Sequence, residues 1–245
     1  CERRDRSAFD AAMLQHRSVM CDINAAMETM WAHSAPKDYM EYRTFIFGTK
    51  NQPMFPNGVI YEGVDDAPRF YRGESGANDS IIPSCDNLWE IPFPENPLTD
   101  ILKDFRTYRP QHHNAYLTHL KDRATALHVQ KFALETTNSA ALFLSNLDQV
   151  REFRSRHWSF AKEYILKYSR HPVATGGSPI ATWLPNQLRS VLVIMSDAIG
   201  HIANSSDTLP TESRTLYDSA VSRSKAQIRI LDREVEKAKE NIDKF

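Results

Sequence analysis

The sequence has few cysteines and no long apolar run. Its three cysteines, Cys1, Cys21 and Cys85, are widely spaced and form no C-x-x-C pair. The sequence therefore predicts neither a disulfide framework nor a zinc site, and we expect reduced thiols. The longest apolar runs, residues 140–144 and 191–195, are far shorter than the ~18 apolar residues that a spanning helix needs. We expect no transmembrane segment.

The chain also lacks an excess of positive or negative charge. Lys and Arg total 30, Asp and Glu total 31, and the net charge is -1, so the chain has no field that would attract nucleic acid or an anionic membrane. The basic start, Cys1-Glu2-Arg3-Arg4-Asp5, has no apolar stretch behind it and does not predict a secretory signal. A cytoplasmic protein is expected. With 41% hydrophobic residues the chain should be globular, and 245 residues are enough for one large domain or two small ones. We expect a single helical domain over 1–245.

Apolar residues recur at helical spacing along most of the chain, which predicts an all-α fold with long irregular connecting loops. Helix-breaking glycine and proline residues concentrate in 48–97 and in 171–185. We interpret both ranges as loops, the first with about one helical turn. The last predicted helix, 212–245, carries a stripe of apolar and small residues at spacings of three and four. This stripe predicts packing either on the body of the protein or on a partner helix. The predicted helices are 8–33, 37–47, 98–108, 114–134, 139–168, 186–202 and 212–245.

One stripe of the long helix 139–168 carries a histidine among aromatic residues. Phe153, His157, Phe160 and Tyr164 follow one another at spacings of four, three and four. Such a histidine can be an ordinary core residue. It can also ligate haem iron while the rings pack on the porphyrin, and Arg154, one turn earlier, can pair with a propionate. The pattern alone leaves both interpretations open.

Two glycine-containing segments lie outside the predicted helices. Gly73-Glu74-Ser75-Gly76-Ala77 has small residues that let backbone approach a flat ligand, and Thr175-Gly176-Gly177-Ser178 supplies backbone donors and hydroxyls. Each can also be a simple turn. Neither is a P-loop or a dinucleotide fingerprint.

Several motifs together resemble the indoleamine 2,3-dioxygenases, especially their fungal-type members. They are Tyr61-Glu62-Gly63, then Arg72-Gly73-Glu74-Ser75-Gly76-Ala77, then Arg154-Ser155-Arg156-His157-Trp158, and finally His171-Pro172-Val173-Ala174-Thr175-Gly176-Gly177-Ser178-Pro179. Order and spacing agree from near the start to about Gln187. The segment 212–245 carries no family motif that we can match.

The resemblance implies that this chain is the C-terminal, haem b-binding portion of such an enzyme, with His157 as the iron ligand and Arg154 as the propionate partner. Asp86 would orient the imidazole directly or through water, although it can equally be an exposed helix cap. The other implied cofactor-binding residues are Phe160, Ala161, Tyr164, Ser75 and Gly76. The implied substrate-binding residues are Ser75, Gly76 and a flexible loop containing Thr175, Gly176 and Gly177.

The family's reaction inserts dioxygen across the indole C2 to C3 bond of L-tryptophan and gives N-formylkynurenine, the first step of the kynurenine pathway. The resemblance implies that the distal pocket comes from a segment N-terminal to the matched part, so this chain would supply the proximal haem side. We assign no acid or base residue, because the cofactor carries the chemistry. The alternative is a truncated, non-catalytic relative that serves as a haem-binding scaffold or binds a helical partner through 212–245.

Overall fold

A computed structural model describes residues 1–92, 97–169 and 173–242 of the chain. The predicted all-α class is confirmed, since strand pairing in the described residues amounts to two isolated bridges, Val59 with Arg69 and Val173 with Pro179. None of the described helices is both long and apolar enough to cross a bilayer. The helices are α1 (Arg6–Glu28), α2 (Met30–His33), α3 (Pro36–Arg43), α4 (Ile81–Leu88), α5 (Pro97–Phe105), α6 (Gln111–Leu127), α7 (Val129–Leu134), α8 (Thr137–Ala161), α9 (Ile180–Ile202) and α10 (Thr211–Ile242).

Some positions singled out in the sequence lie outside the described residues. They are His171 and Pro172 of the last motif, and residues 243–245 of the predicted final helix.

Helix α8 is the centre of the bundle. Thr136 caps its first turn by accepting a hydrogen bond from the Ser139 backbone, and every residue from 139 to 151 is buried. Helices α1, α9 and α10 pack around it. A helix covered on all sides must pair the polar groups that it buries.

The buried polar residues of α8 bind the surrounding helices. The Asn146 amide donates to the Met13 carbonyl of α1 at 3.1 Å, and the Asn24 amide of α1 donates to the Gln149 carbonyl at 3.1 Å. Asp148 accepts from Arg151 at 2.7 Å and also pairs with Arg223 of α10 at 2.7 Å. These contacts fix the register of α1 and α10 against the central helix.

Helix α10 packs on the body of the protein, which is the first of the two alternatives left open by its stripe. It lies against α8 and α9. Its buried residues recur at spacings of three and four and are Ser213, Tyr217, Ala220, Ser224, Gln227, Leu231, Val235 and Ala238.

Two predicted helices are interrupted in the structure. The predicted helix 8–33 is broken at Thr29 between α1 and α2, and the predicted helix 114–134 is broken at His128, whose φ of 49° is left-handed. The predicted single helical turn in 48–97 is the two-turn α4. The predicted helix 139–168 is α8 followed by the π-helical turn Lys162–Leu166.

The predicted start of the ninth helix was wrong. We expected the loop to run to Pro185, but α9 begins at Ile180 and contains Pro185. A proline there costs one hydrogen bond, the one that the Ala181 carbonyl would accept. Burial of Ile180, Trp183 and Leu184 on the same stripe as Leu188 offsets this loss.

Replacing Asp148 with alanine should lower the free energy of unfolding by about 3–5 kcal/mol, because it leaves the Arg151 guanidinium buried without its carboxylate. Urea unfolding followed by circular dichroism measures this loss. The matched control is Asp207→Ala, which removes an ion pair to Arg214 whose aspartate side chain is 96% exposed. That variant should lose less than about 1 kcal/mol. Equal losses would contradict the assignment of Asp148 as a buried anchor.

Candidate cofactor site

A large cavity opens beside the C-terminal half of α8. Its volume is about 1020 Å³, at the upper end of the range for ligand pockets. Residues from α4, α6, α8 and α9 line it, together with the loop segments 74–76 and 174–178. Helix α5 contributes Ile101, Leu102 and Phe105 to the lining.

His157 faces this cavity from α8. Protein surrounds the residue, yet its side chain has open surface because it points into the empty volume. Burial lowers the pKa of the imidazole, and the nearby charge of Arg154 lowers it further. The structure shows no hydrogen bond from this imidazole to any described residue. A neutral ring with a free nitrogen is the form of histidine that binds a metal.

Among the described residues, His157 is the one histidine that lines the cavity. The described part of the chain also has no group of three His, Cys, Asp or Glu residues that could hold a metal ion together. An ion bound here would therefore need most of its ligands from a cofactor or from solvent. Haem iron meets this condition, because the porphyrin supplies four nitrogens and the protein one axial ligand.

The predicted aromatic neighbours of His157 lie on the same wall. Phe153, Phe160, Ala161 and Tyr164 all line the cavity. Ala161, one turn beyond His157, leaves space beside the imidazole. Tyr164 lies in the π-helical turn, where it donates to the Ser34 carbonyl at 2.5 Å. A flat apolar ligand would meet rings and a methyl group along this wall.

Arg154 and Asp86 form a buried ion pair in the cavity wall. Arg154 Nη2 donates to Asp86 Oδ1 at 2.7 Å, and Nη1 donates to the Gln187 carbonyl of α9 at 2.7 Å. Asp86 lies inside α4 and is 7% exposed, so the alternative of an exposed helix cap was wrong. Asp86 forms no direct hydrogen bond with His157. The pair instead joins α4, α8 and α9 behind the imidazole.

Burial dominates the electrostatics of Asp86. It raises the pKa of this carboxyl to about 6, although the charge and the hydrogen bond of Arg154 lower it in part. A carboxyl with a folded-state pKa above its unfolded-state value binds more protons when folded. Its contribution to stability therefore falls as the pH rises from about 4 to about 6.

The two glycine-containing segments meet at one end of the cavity, but only some of their residues face it. Ser75, Gly76 and Thr175 line the cavity. A Cβ at Gly76 would meet nothing within 4 Å, so a ligand has room to approach this backbone. Thr175 is anchored, since its hydroxyl donates to the Glu74 carbonyl and its own carbonyl accepts from Gly48 at 3.0 Å.

Gly176 and Gly177 are buried behind the cavity wall. A Cβ at Gly176 would lie 2.0 Å from the Phe105 ring, and the Gly176 carbonyl accepts from Arg72 at 3.0 Å. Gly177 has a φ of +91°, which favours glycine. Tight packing of this loop, rather than contact with the cavity, explains its two glycines.

Much of the rest of the cavity wall was not predicted from the sequence. Trp183 and Leu184 of α9 were placed in a loop because Pro185 was interpreted as a breaker, although their helical spacing with Leu188 was a usable signal. Several charged residues of α6 and of the segments that precede α4 and α6 were not predicted, because single charges carry no distinctive pattern. They include Asp79, Arg106, Arg109 and Lys121.

Fold and site together define an all-helical protein that presents one neutral histidine to a large, aromatic-lined cavity. The family model of indoleamine 2,3-dioxygenase matches residues 1–209, and the chain belongs to this family. The match includes His157 and every other predicted site residue, and it ends before α10.

Curated relatives agree with this assignment. Indoleamine 2,3-dioxygenase 2 of Mus musculus is 29% identical over 63% of this chain and 38% of its own length. Indoleamine 2,3-dioxygenase 1 of Rattus norvegicus is 28% identical over 69% of this chain and 42% of its own length. Indoleamine 2,3-dioxygenase nanC of Aspergillus nanangensis is 23% identical over 67% and 42%. The chain thus spans about two fifths of the length of these relatives.

The carboxyl of Asp86 should titrate near pH 6, roughly two units above an ordinary aspartate, because burial disfavours its charge. Replacing Arg154 with methionine should raise this pKa further, since Arg154 lowers it now. Carbon-13 NMR of labelled aspartate measures both values, with Asp86→Asn to assign the signal. A value near 4 in the unmodified protein would contradict the burial of this carboxyl.

Replacing Gly176 with alanine should destabilise the protein by about 1–3 kcal/mol, because the new methyl group overlaps the buried Phe105 ring. The matched control is Gly200→Ala in α9, where a Cβ meets nothing within 4 Å and alanine favours the helix by up to about 1 kcal/mol. Thermal unfolding of the two variants should shift in opposite directions. A neutral Gly176→Ala would show that the loop is loosely held.

Proposed function

We propose that this chain supplies the proximal haem side of a haem-dependent dioxygenase that converts L-tryptophan to N-formylkynurenine. The observation that carries the proposal is the neutral imidazole of His157, which faces a cavity of about 1020 Å³ without a hydrogen bond to the described protein. Membership of the indoleamine 2,3-dioxygenase family supports the reaction type.

The residues around His157 fit haem b. One axial imidazole is the usual protein ligand of haem iron, and it must be unprotonated to bind. The lowered pKa of His157 keeps it in that form at neutral pH. Phe153, Phe160 and Ala161 flank the imidazole on the apolar wall and would pack against the macrocycle.

Arg154 would form an ion pair with a propionate of the haem while it stays paired with Asp86. Its guanidinium lines the cavity and already donates to Asp86 and to the Gln187 carbonyl. A propionate bound here would share this cation with Asp86 and add a second negative charge near it. Arg154 therefore links the cofactor's periphery to the helix that bears Asp86, which is the indirect role that we assign to this carboxylate.

The haem supplies ferrous iron that binds and activates dioxygen. The residues of this chain position and enclose the reactants. Ser75, Gly76 and Thr175 provide a hydroxyl and open backbone at the end of the cavity where the substrate's polar groups would lie. The packed loop 174–178 would help to exclude water there.

A non-catalytic haem-binding relative is the second reading, and two measurements separate it from the enzyme. Both readings require stoichiometric haem. The enzyme reading also requires N-formylkynurenine from L-tryptophan and dioxygen, detected by its absorbance after reduction of the haem. Haem binding without any turnover by the protein in its natural full length would favour the scaffold.

Replacing His157 with glycine should abolish stoichiometric haem binding, because no other histidine among the described residues lines the cavity. The absorption spectrum after haem addition, oxidised and then reduced under carbon monoxide, reports the loss of the histidine-ligated Soret band. Free imidazole at millimolar concentration should restore the band by occupying the vacated ligand position.

The control for this experiment is His119→Ala on the exposed face of α6, which should bind haem as the unmodified protein does. Far-ultraviolet circular dichroism should show the same helical content in all three proteins. A His157→Gly variant with an unchanged Soret band would overturn the ligand assignment.

A further inference from the structure

A second group of metal-binding atoms lies outside the cavity, in the core between α1 and α4. Cys85 Sγ is 3.6 Å from His16 Nε2 and 3.6 Å from Met20 Sδ. His16 and Met20 are one turn apart on α1, and Cys85 faces them from α4. None of the three residues lines the cavity.

The surroundings fix the imidazole of His16 so that its Nε2 lone pair faces Cys85 Sγ. Its Nδ1 lies 2.6 Å from Asn146 Oδ1. The Asn146 amide nitrogen donates to the carbonyls of Met13 and Leu142, so the amide oxygen must be the acceptor for His16. Nδ1 therefore carries the proton, and Nε2 presents its lone pair to Cys85. Trp89 packs edge-on against the ring at 5.2 Å and holds its orientation.

We propose that Cys85, His16 and Met20 form a three-coordinate site for a soft, monovalent metal ion. The ion that we propose is Cu(I). A thiolate, a thioether and an imidazole are the donors that Cu(I) prefers. Metal bonds of about 2.0–2.3 Å in a planar three-ligand site place the donor atoms about 3.5–4.0 Å apart. The two observed separations of 3.6 Å already fall within this range.

Charge balance selects a monovalent ion. Cys85 and Met20 are 3% and 2% exposed, so the site is in the apolar core, where an uncompensated charge is costly. One thiolate with Cu(I) is neutral, and the imidazole and the thioether add no charge. A divalent ion with the same donors would leave one buried positive charge.

Binding replaces the thiol proton. Burial raises the pKa of Cys85 to about 12, and the charge of Asp86 adds to this, so the free site holds a thiol. The bond that forms joins Cu(I) to Sγ, the S–H bond breaks, and the proton leaves to solvent. No oxidation or reduction occurs. His16 is half-buried on α1 and gives the ion a route from the surface.

The test is an anaerobic titration of the haem-free protein with Cu(I) in competition with a chromogenic Cu(I) chelator. We expect one Cu(I) per chain. X-ray absorption at the copper edge should show two sulfur ligands and one nitrogen. Cys85→Ser and Met20→Leu should each weaken binding at least tenfold, and the second keeps the buried volume nearly unchanged.

Two controls make the result specific. Met13→Leu replaces another buried methionine of α1 and should leave Cu(I) affinity unchanged. The double variant Cys1→Ser, Cys21→Ser retains Cys85 as its one thiol and should bind as the unmodified chain does. Absence of competition with the chelator, or equal affinity in Met20→Leu and Met13→Leu, would overturn the proposal and leave the three residues as core packing. Haem binding at His157 is measured separately and does not depend on this outcome.

Discussion

The complete burial of α8 along residues 139–151 is the constraint on which the rest of the structure depends. A helix in that position must be covered by neighbours on every side, and its polar side chains must find partners there. Asn146 and Asp148 find theirs on α1 and α10. The burial ends near the last three turns of α8, and the cavity opens there. His157 therefore lies on the most deeply buried helix of the described residues, while its ring faces the cavity.

The ion pair of Arg154 and Asp86 ties this site to the surrounding helices. Three helices meet at one guanidinium, because Arg154 of α8 donates to a side chain of α4 and to a carbonyl of α9. The pair is buried, so its net stabilisation is small compared with the cost of breaking it. Its role is positional: a change in charge at either partner alters the electrostatics of His157 and the packing of the cavity wall together.

Sequence reasoning succeeded where periodicity was long and uninterrupted. It predicted the helical class, the long central helix and the aromatic stripe with His157 and Tyr164, because burial enforces regular spacing over many turns. It failed where a local signal was overridden by packing. Pro185 was interpreted as a breaker although its helix was buried enough to tolerate it, and Gly176 was interpreted as mobile although Phe105 fills the space beside it. The pairing of Arg154 with Asp86, 68 residues apart, has no sequence signature.

Contacts within the chain hold the wall of the cavity, and this bears on how a cofactor would bind. Burial lowers the pKa of His157, and backbone hydrogen bonds fix the loop 174–178, so little ordering of these residues would be required on binding. Substitutions in the wall, at His157 or Phe160, should then affect ligand affinity more than folding. Substitutions in the buried centre of α8 should do the reverse. The structure thus separates the residues that maintain the scaffold from those that meet the ligand, although both groups lie on one helix.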